Sequence, residues 1–171
     1  MRKTLISLAP LAVALVVFLG VLVVLLERNP GLARWSLAIF LFGHGWVHIT
    51  YLMPQRGPTP QPAGRPSTDN PFNLHRSWLA NATAVDGRVL HGAGIALVAV
   101  VMVGFSLAAL ATGGVVVPPG WWAVLVTGST LASMLLLLLA LFFHPALLLG
   151  WAINVVVLWF VVVAHWLPSV A

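Results

Sequence analysis

The sequence predicts an all-α protein: a polytopic transmembrane helical bundle of about five spanning helices, with one Pro-rich loop between the second and third. Three observations carry that expectation. Hydrophobic residues make up 61% of the chain and charged residues only 6%, where globular proteins carry roughly 25% charged residues. Apolar runs long enough to cross a bilayer, which takes roughly 20 helical residues at about 1.5 Å rise each, recur along the chain. A single stretch of contrasting composition, rich in proline and arginine, separates the second run from the third. With 171 residues, the chain has room for one membrane domain, 1–171, and little structure outside it.

The first span is placed at Leu5–Leu26. It follows Arg2 and Lys3, but its apolar stretch exceeds the roughly 7–15 residues of a secretory signal, and no clear cleavage motif follows, so an uncleaved anchor is expected. A tight turn, Glu27-Arg28-Asn29-Pro30-Gly31, then reverses the chain into the second span, Trp35–Met53. The loop covers residues 54–90. Pro54, Pro58, Pro60, Pro62, Pro66 and Pro71 keep it extended, and it cannot bury enough apolar surface to fold alone. Its second half, residues 70–85, suits a short helix lying along the headgroups. The Asn81-Ala82-Thr83 triplet matches a glycosylation acceptor, although the loop is expected on the wrong side for that modification.

The third span runs His91–Thr112 and ends in an uncharged loop, GGVVVPPG. The fourth and fifth, Trp121–Phe143 and Ala146–Leu167, are separated only by His144 and Pro145. Proline lacks the backbone donor that continuation would use, so a very tight hairpin is expected; a kink in one tilted helix would reduce the count to four and move the C-terminus inside.

Basic residues set the orientation, because cytoplasmic loops carry the excess of Lys and Arg. Arg2 and Lys3 share a side with Arg56, Arg65, Arg76 and Arg88, leaving Arg28 and Arg34 on the other. The N-terminus is therefore predicted cytoplasmic and the C-terminus outside. Seven arginines to one lysine, with abundant Ala, Val, Leu and Gly, point to a GC-rich bacterial gene and so to the bacterial inner (plasma) membrane. The net charge of +5 is read as a topology signal, with the lipid bilayer as partner and nucleic acid excluded. The absence of cysteine removes disulfides, thiol chemistry and Cys-ligated clusters.

Within the spans the polar residues are few. His44 and His48, four apart, stack on one helix face, and the threading puts His48, His91 and His144 at neighbouring depths with His44 one layer deeper. Imidazoles within a bilayer are costly and mark functional sites by default. An i, i+4 pair offers two donors to one transition metal, with His91 or His144 as a third; haem b would need His44 or His48 opposite His91. Neither arrangement has a specific motif. The structural alternative is heavier: half-wet interfacial rings at His91, His144 and His165, with His44 and His48 bonded across helices as packing glue.

Asn154, Thr127, Ser129, Thr130 and Ser133 are read as helix packing, with a polar path as the lesser use. Gly128/Ala132, Ser129/Ser133 and Gly104/Ala108/Thr112 have the small-xxx-small spacing that lets helices approach closely. The acids, Glu27, Asp69 and Asp86, all lie outside the spans, so carboxylate relays and paired-carboxylate catalysis have nothing to use. Serine–histidine chemistry is not expected either, because residues 127–133 fall toward the outer half and most histidines toward the inner. No catalytic residues are assigned. The expected function is a non-catalytic subunit or scaffold of a membrane complex, with a membrane-protein partner or a homo-oligomer. The alternatives are a haem- or metal-binding redox component using His44, His48, His91 and His144, and a small-molecule or ion permeation path.

Overall fold

A computed structural model describes residues 28–53, 82–139 and 145–163, together with Val13, Val16, Val17, Gly20, Val21, Val24 and Leu79. The described residues are all-α, with four α-helices: α1 (Pro30–Trp46), α2 (Gly87–Gly113), α3 (Trp122–Leu139) and α4 (Pro145–Leu158). A 3-10 turn, Val47–Tyr51, extends α1, another, Pro119–Trp121, leads into α3, and a π turn, Trp159–Val163, extends α4. Most of the predicted first span, most of the 54–90 loop, His144 and His165 lie outside the described residues.

Local chemistry sets the helix ends. Asn29 caps α1, its Oδ1 accepting from the Leu32 amide at 3.1 Å, with Pro30 in the first turn where its missing donor costs nothing. Asp86 caps α2 in the same way, accepting from the Arg88 amide at 2.8 Å, so this helix starts four residues before the expected His91. It stops at Gly114, whose φ of 69° suits a residue without a Cβ, and the Val115 amide closes back on the Leu110 carbonyl at 2.9 Å. Pro145 opens α4, as a residue that can begin a helix but not continue one must.

Contacts between the helices fix an up-down-up-down bundle. Gly45 of α1 meets Val101 and Phe105 of α2 while Trp35 meets Gly113, an antiparallel register. In the next pair Gly104 abuts Ser129, and the Trp122 indole donates to Thr112 Oγ1 at 2.7 Å. In the last, Gly150 packs on Leu137, and Asn154 reaches back to Ser133. Helices α3 and α4 are therefore antiparallel neighbours and not one kinked helix. Central to the bundle is α2, packed on both α1 and α3.

Two apolar clusters fill the interior. One gathers Leu37, Leu41, Phe105, Trp122, Val126 and Val157; the other holds Tyr51, Val98, Leu136, Leu137 and Leu147. Following α1, α3 or α4 along its axis leads from one cluster to the other through a polar layer: His44 and His48, then Ser129, Thr130 and Ser133, then Asn154. All of these side chains are buried, whereas Ile39 is 71% exposed and Val124 73%. A polar layer is thus enclosed between apolar clusters while large apolar side chains face outward.

Among the described residues, two helices are long and apolar enough to cross a membrane, Gly87–Gly113 with mean hydropathy 2.5 and Pro119–Leu139 with 2.0; the helical stretch Leu147–Val163 is shorter. The second predicted span is an α-helix of 17 residues that tightens into a 3-10 turn.

Candidate functional site

The polar layer is built around one closed run of hydrogen bonds. His48 rides on the 3-10 turn, and its Nδ1 lies 3.0 Å from the His44 carbonyl and 3.2 Å from that of Gly45. A carbonyl oxygen only accepts, so Nδ1 carries the proton and, in the neutral ring, Nε2 carries the lone pair. Nε2 is 2.9 Å from Ser133 Oγ; the serine must be the donor. With its proton committed, Ser133 accepts from Asn154 Nδ2 at 2.9 Å. That orients the amide with Oδ1 toward His44 Nε2, 3.0 Å away, and makes His44 the donor. Every bond runs one way, from His44 through Asn154 and Ser133 to His48 and back to the backbone of His44.

Packing holds this run in place. The Phe105 ring stands edge-on to His44 at 5.0 Å, and Phe40 stacks on its other side at 5.9 Å. Tyr51 stacks on His48 at 6.1 Å, and the two imidazoles meet nearly perpendicular at 5.7 Å. Gly45 makes the approach workable: a Cβ there would sit 2.7 Å from Phe105 Cβ, a rigid atom next to the backbone. Gly43, on nearly the opposite face of the helix, has nothing within 4 Å.

Other hydroxyls on α2 and α3 behave differently. Ser106, Thr112, Ser129 and Thr130 each donate to the carbonyl four residues earlier in their own helix, at 2.6–2.8 Å. Ser133 instead turns its hydroxyl to His48. Thr127 lies on the opposite face of α3, where with Ala123, Val124, Gly128 and Leu131 it lines a shallow apolar groove.

Among the described residues, His91 does not join the His44–His48 pair at the neighbouring depth expected of it. Gly45 lies against Val101 and Phe105, so His48 is level with about residue 100, and His91 sits some nine residues, or about 13 Å, farther along α2. Its ring stays out of the His44–His48 layer. Among the described residues no three His, Cys, Asp or Glu side chains are placed to hold a metal ion, and His144 is outside them. The separation expected between serines and histidines is also corrected. Residues 127–133 cover nearly two helical turns, and Ser133, the last of them, reaches the depth of His48.

Comparison with known protein families, curated proteins and solved structures finds no match to this chain.

Proposed function

We propose that the chain is a multi-pass integral membrane protein of about five spans that serves as a subunit or scaffold of a membrane complex, in contact with a second membrane protein or another copy of itself. The observation that carries this reading is the apolar exterior around an enclosed polar layer: side chains such as Ile39 and Val124 point outward while His44, His48, Ser133 and Asn154 are buried. Hydrocarbon is the solvent that such an exterior suits, and a polar layer with its bonds made internally is what a bilayer demands. The α1 helix and its 3-10 extension together reach about 35 Å, at roughly 1.5 and 2.0 Å per residue, enough for a hydrocarbon core of about 30 Å.

Support for an association role comes from the small residues left over by internal packing. Gly128, open for at least 4 Å, lies with Ala123 and Thr127 in the groove on the outer face of α3, where another helix could approach closely. Haem and metal binding gain less, because both Nε2 atoms of the His44–His48 pair are already engaged by Asn154 and Ser133. Extraction in mild detergent followed by native mass spectrometry tests the proposal: a stoichiometric partner or a defined homo-oligomer is expected, and a monomer without companions would overturn it.

A further inference from the structure

We propose that the polar layer is also a nucleophilic site, with Ser133 as the nucleophile, His48 as its general base, and the acyl group of an uncharged, lipophilic ester as the substrate class. This goes beyond the subunit reading and does not depend on it. The structure supplies the arrangement that activates a serine: nucleophile and base within hydrogen-bond reach, and the base oriented by a third group. Ser133 Oγ donates to His48 Nε2 at 2.9 Å, and the His48 Nδ1 proton is held by the carbonyls of His44 and Gly45. Those carbonyls fix the tautomer that leaves Nε2 free to take a proton, and their negative ends face the imidazolium once it forms. They act by positioning. Asn154 Nδ2, 2.9 Å from Ser133 Oγ, is the donor available to an oxyanion developing next to that oxygen.

The contrast within α3 sharpens the assignment. Ser129 and Thr130 spend their protons on their own helix at 2.6 and 2.7 Å, and only a hydroxyl whose proton points at a base is poised to lose it. The walls decide the substrate. Phe40, Tyr51 and Phe105 surround the histidines, and the described charged residues, Arg28, Arg34, Asp86 and Arg88, lie at the helix ends, so a neutral acyl ester suits the space and an ionised substrate does not.

In the step itself the Oγ–carbonyl carbon bond forms as the Oγ proton passes to His48 Nε2. The carbonyl electron pair moves onto the oxygen facing Asn154, then returns as the ester C–O bond breaks, and His48 gives its proton to the departing alcohol. Water, activated by the same nitrogen, releases the acid and restores the serine. Ser133 is fully buried, and the acyl chain enters by displacing the Tyr51 side chain stacked on His48, with the turn and its base left in place.

A lipophilic fluorophosphonate tests the site without a known substrate. The full chain, in mild detergent and in liposomes, is expected to lose fluoride from the probe and gain one phosphonyl group, mapped by peptide mass spectrometry to Ser133 and not to Ser106 or Ser129. Labelling should vanish in Ser133→Ala, fall at least tenfold in His48→Ala, and persist in Thr130→Val. Selectivity for Ser133 in the unsubstituted protein is read independently of whether the variants fold. Absence of an adduct at Ser133 in both media, equal labelling of Ser129, or undiminished labelling of a folded His48→Ala protein would each overturn the proposal.

Discussion

Asn154 joins two other helices through one side chain, since its amide both accepts from His44 and donates to Ser133. Replacing it with leucine, close in volume, strands a buried N–H on one side and an unsatisfied hydroxyl oxygen on the other. Such stranded groups cost about 1–3 kcal/mol, so Asn154→Leu should destabilise the bundle by that amount in denaturant titrations in detergent. Combining it with His44→Phe, which removes the stranded N–H, should recover part of the loss; a strictly additive double variant would show that the two side chains are not bonded. The histidine spacing and the lone asparagine within the predicted spans are both legible from sequence, because polar residues stand out against an apolar background. The Ser133–His48 pairing is not. It depends on how α1 is rotated against α3, and helices apolar on all faces carry no periodic pattern that fixes a rotation.

At the scale of helices, the two glycines beside His44 separate cleanly. Without an ordinary hydrophobic driving force in lipid, helices associate through close packing and hydrogen bonds, so a methyl group at the contact matters more than its size suggests. Gly45→Ala forces its Cβ onto Phe105, 2.7 Å away, and should cost about 1–3 kcal/mol as overpacked interiors do. Gly43→Ala meets nothing within 4 Å and should stabilise α1 by about 0.5–1 kcal/mol through reduced backbone freedom in the unfolded chain. Paired thermal unfolding of the two variants, read by tryptophan fluorescence, checks the difference, and equal effects would contradict the helix contact. Sequence spacing treats these glycines alike, since both flank the same histidine. Helix ends are more legible: Asn29-Pro30 and the Gly113-Gly114 stop declare themselves, while the cap at Asp86 is a weaker signal than the apolar run that begins later.

For the whole molecule, the antiparallel registers divide the described helix ends into two groups. Arg28, the 114–118 turn and Val163 belong at one end of the bundle, and Met53, Val85 and Pro145 at the other. If the bundle spans a bilayer, these groups face opposite compartments, and the arginine-rich loop assigns the second to the cytoplasm. The chain has no cysteine, so single substitutions report without background. In intact cells a membrane-impermeant maleimide should label Val116→Cys, at a position 91% exposed, and should reach Val85→Cys and Met53→Cys only after permeabilisation. The same pattern inverted would keep the bundle and reverse its orientation. Labelling of Val116→Cys and Val85→Cys from one side would break the up-down threading itself, and with it the geometry that brings the His48 turn over Ser133.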